Sequence, residues 1–167
     1  KWLWRSWGIV GDLRRDAVDL YHGLSGELPL GIHRSGIRTV VTIHDLIFMR
    51  HPEYYNRADV KIYTWKFHRT IAQADRIIAI SECTKRDIMH YGHVDPDHIE
   101  VIYQSCSTHF KLRESDAKLQ DVHARYVLPS RYIINVGTVE RRRNNLWAGR
   151  GLQHLEDVAW VMGARRP

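Results

Sequence analysis

The chain has 167 residues, 44% hydrophobic and 26% charged, with a net charge of +6. That balance excludes a disordered, collagen-like or low-complexity protein, and the length fits one domain or parts of two. Two cysteines, Cys83 and Cys106, cannot build a disulfide framework and are expected as reduced thiols.

The chain opens in helical phase. Leu3, Trp7, Val10, Leu13 and Ala17 fall on one face, so a helix is predicted from the first residues. Trp2, Trp4 and Trp7 beside Arg5 read as a core helix that has lost its partners, the alternative being a nucleic-acid or membrane patch. A short strand is expected at Val18–Tyr21 and a stronger one at Thr39–Ile43. Val60, Tyr63, Phe67, Ile71 and Ala74 then mark a helix. A strand at 76–80 leads into a helix from Glu82 to Tyr91, with Ser81 as its N-cap and Gly92 as its stop. Another strand follows at Ile99–Ile102. The polar segment from Tyr103 to about Pro129 carries one helix near Ser115–Tyr126 and reads as a connection. The chain closes with a strand at Tyr132–Val136, a helix over Asn144–Leu155 and a strand at Val158–Met162. The helix contains Gly149 and Gly151, unfavourable residues there.

These strands are short, β-branched and unbroken rather than alternating, the pattern of strands buried on both faces of a parallel sheet. Strand and helix recur in turn, so the fold class is α/β. Both ends read as cut, and the expected division is 1–111, a connection at 112–130, and the first βαβ unit of a second domain at 131–167.

Ligands of open parallel sheets sit beyond the carboxyl ends of the strands. There the sequence places His22 and the loop Gly23-Leu-Ser25-Gly-Glu27, the pair His44-Asp45, Ser81, and Gly137-Thr138-Val-Glu140-Arg-Arg142-Arg143-Asn144. Three arginines just before a helix N-terminus oppose its partial positive charge, which makes sense if an anion such as a diphosphate lies between them. A solvated arginine run at a turn is the alternative. His44-Asp45 suits a polar substrate contact or acid–base work near neutral pH, or a histidine hydrogen-bonded within its loop. The other histidines show no zinc-ligand pairing, HEXXH is absent, and no metal is expected. GxGxxG, GxxxxGK[ST] and GxSxG are absent as well. The basic charge is neither clustered on one element nor interleaved with stacking aromatics, so nucleic acid is not expected as a partner. No apolar run approaches the ~20 residues of a membrane helix, and KWLWRSWG lacks the core and cleavage site of a signal peptide.

Six segments in order carry a family resemblance: YHGLSGELPLG at 21–31, VVTIHDLIF at 40–48, HPEYY at 51–55, ADRIIAISE at 74–82, IEVIYQ at 99–104 and YIINVGTVE at 132–140. Together they resemble bacterial family 4 glycosyltransferases of the GT-B fold, mannosyltransferase-like in kind. The resemblance covers nearly the whole chain. It implies two Rossmann-like domains, acceptor held by the first and nucleotide diphosphate sugar by the second, with transfer that retains anomeric configuration and no metal or other cofactor. His44, with Asp45, would lie at the reacting centre. Gly137, Thr138, Glu140, Arg142, Arg143 and Asn144 would hold the donor, and His22, Gly23, Ser25 and Glu27 would line the acceptor side. Arg143 stands where the family has lysine, and Gly26 where a polar residue, often asparagine, is usual. The family's glycine-rich opening strand and its later paired-glutamate motif are not in this sequence, which therefore reads as a central fragment of a hexosyltransferase of polysaccharide biosynthesis. The acceptor would be a glycan or lipid-linked, and the setting cytoplasmic, with peripheral contact at the inner membrane face in the lipid-linked case. A truncated, non-catalytic remnant of such an enzyme is the alternative, and a basic nucleic-acid-binding protein the more distant one.

Overall fold

A computed structural model describes residues 4–138, 140, 143–152, 155 and 157–163. The chain forms two compact units, Lys1–Ser105 and Cys106–Pro167. No disulfide joins Cys83 and Cys106, both exposed.

The first unit is built on a four-stranded parallel sheet, β1 (Leu20–Gly23), β2 (Arg38–Ile43), β3 (Arg76–Ala79) and β4 (Ile99–Val101), whose spatial order is the chain order. Leu20 pairs with Arg38, Val40 with Arg76, and Ile77 with Ile99. A π-helical turn at Trp4–Gly8 and helix α1 (Ile9–Arg15) precede β1. Between β2 and β3 lie α2 (Ile47–Arg50) and α3 (Arg57–Ile71), and α4 (Glu82–Gly92) joins β3 to β4. The core is aliphatic. Ile32, Val41, Ile88, Ile77, Ile99 and Leu46 are all fully buried. Each such side chain stabilises by about 1.5–3 kcal/mol relative to exposure.

Strands lie within a residue or two of their expected spans, with β1 the most displaced. Val18 N–H closes the end of α1 on Leu13 O at 3.0 Å, and Ala17 adopts φ 51°. Val18 is thus spent on ending the helix, and the strand starts two residues later. In the first turn Trp4 and Trp7 are 54% and 67% exposed.

Gly92 plays another part than the one predicted. It lies inside α4, and the left-handed residue that ends the helix is His93, φ 52°. A Cβ on Gly92 would come within 2.7 Å of Ile71 Cδ1 and 3.1 Å of Phe67 Cζ. Its value is the close approach of α4 to α3.

The polar tie between β2 and β3 is local and strong. The backbone N–H of Thr39, a residue 1% exposed, donates to Asp75 Oδ2 at 2.6 Å. The Thr39 hydroxyl donates to Gln73 O at 2.7 Å and accepts Asp75 N–H at 3.0 Å. Asp75→Ala removes the acceptor and leaves a buried N–H without it. A loss of about 1–3 kcal/mol is expected, read as a lower urea midpoint at unchanged slope.

In the second unit, α5 (Asp116–Tyr126) is capped by Ser115, which accepts Lys118 N–H at 3.4 Å. A two-stranded parallel sheet pairs β5 (Tyr132–Val136) with β6 (Ala159–Gly163) across α6 (Asn145–Leu152). The expectation of strands buried on both faces fails here: no residue of β5 or β6 is buried. Two strands and one helix supply too little surface to cover both faces. Gly149 has a packing reason, because a Cβ there would run into the Trp160 ring of β6.

Candidate functional site

In the first unit, the polar loops at the carboxyl ends of β1 and β2 enclose one cavity of about 290 Å³. Four sequence-predicted residues line it together: Ser25, Glu27, His44 and Asp45. Gly23 and His22 do not line it. His22 Nε2 is 2.8 Å from Thr42 Oγ1 on the neighbouring strand. A Cβ on Gly23 would collide with the carbonyl oxygen of Glu27 and reach 3.1 Å from Leu28 Cδ2. Gly23 therefore lets the loop fold back and present Ser25–Glu27. Gly26 sits at φ 72° with its nearest neighbour, Ile43 Cδ1, 3.8 Å from an added Cβ. The demand is conformational, and glycine and asparagine are the residues that meet it most readily. That explains how glycine can stand at a position where the resembled family often has asparagine.

His44 is exposed and engaged at both ring nitrogens. Nε2 lies 2.9 Å from Leu24 O, and Nδ1 lies 3.4 Å from Gln104 Nε2. A carbonyl can only accept, so Nε2 carries hydrogen and Nδ1 accepts from the amide; the tautomer follows from these partners. The ring bridges the loop after β1 to the residues after β4. Its own backbone oxygen accepts from Thr84 Oγ1 at 3.1 Å. Ser81, in turn, accepts Thr84 N–H at 3.1 Å as the N-cap of α4, as expected. Asp45 is exposed, and its Oδ1 accepts Ile47 N–H at 3.3 Å, starting α2. Arg50, at the end of α2, donates to Cys83 Sγ and Asp87 Oδ1, both at 3.3 Å. The Cys83 hydrogen bond and then the Asp87 charge raise its pKa further above the ordinary arginine value.

The opposite wall was not legible in the sequence. Lys66 Nζ donates to Glu27 Oε1 at 2.8 Å, joining α3 to the loop. Tyr63 stands 5.7 Å from Phe48 and 6.5 Å from Tyr55, edge to face in each case. The helical spacing put Tyr63 on the apolar face of α3, but it is 41% exposed and lines the cavity. An aromatic wall facing a carboxylate, an ammonium and a hydroxyl suits a small polyhydroxylated ligand, apolar on its faces and polar at its rim.

In the second unit, the predicted donor residues gather at the carboxyl end of β5 and the start of α6. Gly137 has φ 150°, and the Arg143 guanidinium packs where its Cβ would be, Nη1 at 2.8 Å. Thr138 Oγ1 donates to Glu140 Oε1 at 2.7 Å, and Glu140 O accepts Arg143 N–H at 3.0 Å. Asn144, at φ 51°, uses its carbonyl to accept Trp147 N–H at 3.0 Å. Arg142 lies outside the described residues. Among the described residues, no group of three or more His, Cys, Asp or Glu side chains is arranged to hold a metal. Among them, too, no helix is long and apolar enough to cross a membrane.

Parallel sheets with polar loops gathered at their carboxyl ends are a Rossmann-like α/β construction, and solved structures place it with the GT-B fold. A protein from Anabaena, Alr3699/HepE, in complex with UDP-glucose matches with TM-score 0.60 at 14% identity, over 92% of this chain and 42% of that one. A glycosyltransferase from Rickettsia africae matches with TM-score 0.53 at 12% identity, over 93% of this chain and 49% of that one. The chain belongs to Glycosyltransferase Family 4, whose family model matches residues 1–109. Among curated relatives, the O-antigen chain mannosyltransferase B of Escherichia coli is 28% identical over 132 residues, 78% of this chain and 33% of that protein. The serotype-specific mannosyltransferase WbdA of Escherichia coli is 23% identical over 131 residues, 76% of this chain and 16% of that protein. The matched region is thus a third or less of the length of these relatives.

Proposed function

We propose that the protein transfers a sugar, mannose first among the candidates, from a nucleotide diphosphate sugar to a hydroxyl of a glycan or lipid-linked acceptor, with retention of anomeric configuration. The observation that carries this reading is the joint placement of Ser25, Glu27, His44 and Asp45 in one strand-end cavity of a family 4 chain. Acceptor binds there. Glu27 and Lys66 offer hydrogen-bond acceptor and donor together, and the tyrosines cover an apolar sugar face. His44 holds the loop in place and meets the reacting sugar. As the bond from the anomeric carbon to the diphosphate breaks, negative charge grows on the leaving group. Arg143 and Arg142 offset it, as preorganised cations do in a site shielded from water. The two mannosyltransferase relatives support mannose, and the O-antigen relative supports a growing polysaccharide as acceptor. A cytoplasmic setting, with contact at the inner membrane face when the acceptor is lipid-linked, fits that role.

The test is incubation of the protein with radiolabelled GDP-, UDP- and dTDP-sugars and short mannoside acceptors. Label should pass to acceptor from one donor class, with the donor's anomeric configuration kept in the product. No transfer from any donor overturns the reading. His44→Ala should lower kcat at least about 100-fold, the lower edge of what one positioned polar group contributes. Unchanged kcat would remove His44 from the reacting centre.

A further inference from the structure

The cavity described above does not end at its own wall. A second cavity, about 460 Å³, lies on the other side of the Glu27–Lys66 pair, and both residues line both cavities. Its far walls are Trp7, Trp65, Arg69 and the chain at Leu28–Leu30. Several contacts shape it. Leu30 N–H donates to Ser6 O at 2.8 Å, which fixes the Trp4–Gly8 turn against the loop. The Arg69 guanidinium lies 5.9 Å from the Trp65 ring centroid, one helical turn along α3. Trp65 nevertheless stays 54% exposed and Trp7 67%. Two open indoles beside a paired carboxylate and ammonium are an unusual surface for water alone to cover.

We propose that this groove is a second glycan subsite, which holds sugar residues of the acceptor chain beyond the one that reacts. The inference rests on the acceptor reading of the first cavity and extends it to a ligand of several residues. The chemistry is that of a neutral oligosaccharide. A pyranose presents C–H groups with partial positive charge on its faces, which meet the electron-rich face of an indole. Its rim carries hydroxyls, which can both donate to Glu27 and accept from Lys66 and Arg69. Glu27 and Lys66 neutralise each other in the shared wall, while Arg5 and Arg69 on the far side add donors for sugar oxygens. Continuity gives the direction: a chain seated by its terminal sugar between Tyr63 and His44 passes over the Glu27–Lys66 pair and onto Trp65 and Trp7. An anionic membrane surface is the competing occupant of exposed tryptophan and arginine. It fits less well, because the groove is concave and carries a carboxylate in its wall.

The experiment compares methyl α-mannoside, mannobiose and mannotetraose by titration calorimetry and by tryptophan fluorescence, with wild-type protein, Trp65→Ala, Trp7→Ala and Tyr63→Ala. Thermal midpoints check that the exposed substitutions leave the fold intact. The tetrasaccharide should bind about tenfold more tightly than the monosaccharide, about what one well-placed aromatic contact gives. In Trp65→Ala it should fall back to the monosaccharide's affinity, with a tryptophan signal lost. Equal affinity at all lengths, or a Trp65→Ala protein that matches wild type, overturns the second subsite and leaves the acceptor reading standing. If no mannoside binds and none is glycosylated, the acceptor reading falls and the subsite with it. Release of Trp65→Ala from phosphatidylglycerol vesicles, with tetrasaccharide affinity untouched, would assign the groove to a membrane and overturn the proposal.

Discussion

Gly23→Ala is expected to lower the thermal midpoint by about 4–24 °C and to abolish the proposed glycan binding in the strand-end cavity. The added Cβ meets a backbone oxygen, that of Glu27, which cannot swing aside as the end of a side chain can. Overpacking of this kind costs about 1–3 kcal/mol, and each kcal/mol moves the midpoint of a domain near this size by about 4–8 °C. To relieve the clash, the loop must move, and Ser25 and Glu27 move with it. Gly11→Ala is the matched control. An added Cβ there meets nothing within 4 Å, and the residue lies within α1. Alanine should be neutral or stabilising by up to about 1 kcal/mol. A Gly23→Ala protein as stable as wild type, with mannoside affinity intact, would show that the loop's fold-back is not needed for the site.

The second large effect is expected at Arg143. Its guanidinium packs over Gly137 at the end of β5, among the residues proposed to hold the donor diphosphate. Arg143→Ala should reduce kcat/KM for the nucleotide sugar by about 10- to 150-fold, the equivalent of one charge-assisted hydrogen bond of about 1.5–3 kcal/mol. Arg143→Lys should recover part of that loss, because it keeps the charge but not the planar fork. The effect should shrink for acceptor affinity measured without donor. Equal loss for both ligands would mean that the substitution had damaged the unit as a whole. Unchanged donor kinetics in Arg143→Ala would remove Arg143 from the diphosphate site.

Much of this arrangement was legible in the sequence, for a physical reason. Unbroken β-branched runs are good markers of strands in a parallel sheet, and β2, β3, β4 and β5 lie within one or two residues of their expected spans. Ser81 was legible as a cap because capping depends on residues three apart, and the shared position of Ser25, Glu27, His44 and Asp45 because loops after parallel strands gather at one sheet edge. What failed depends on contacts between distant segments. Gly92 looks like a helix stop, yet it serves a helix–helix contact that only the position of Phe67 and Ile71 reveals. Tyr63 sits on the right face of α3, but its spacing cannot say that this part of the face borders a cavity. Lys66 gave no signal at all, because its partner Glu27 is 39 residues away. The burial expected for β5 and β6 failed because a run of apolar residues reports the preference of a strand, not what lies against it.

The strand order of the first unit has a consequence for synthesis on the ribosome. Each strand pairs with the one made just before it, so paired residues are 18, 36 and 22 positions apart in turn. Among the described residues of this unit, no pairing waits for a later, more distant strand. The nascent chain can close β1 on β2 once residue 43 has emerged, then extend the growing edge with β3 and β4. At about 5–20 residues per second, the steps are separated by seconds, whereas local elements form in microseconds. The loop between β1 and β2 is therefore the first part of the candidate site to be tethered at both ends. His44, which pins that loop, leaves the exit tunnel immediately after the strand that closes it.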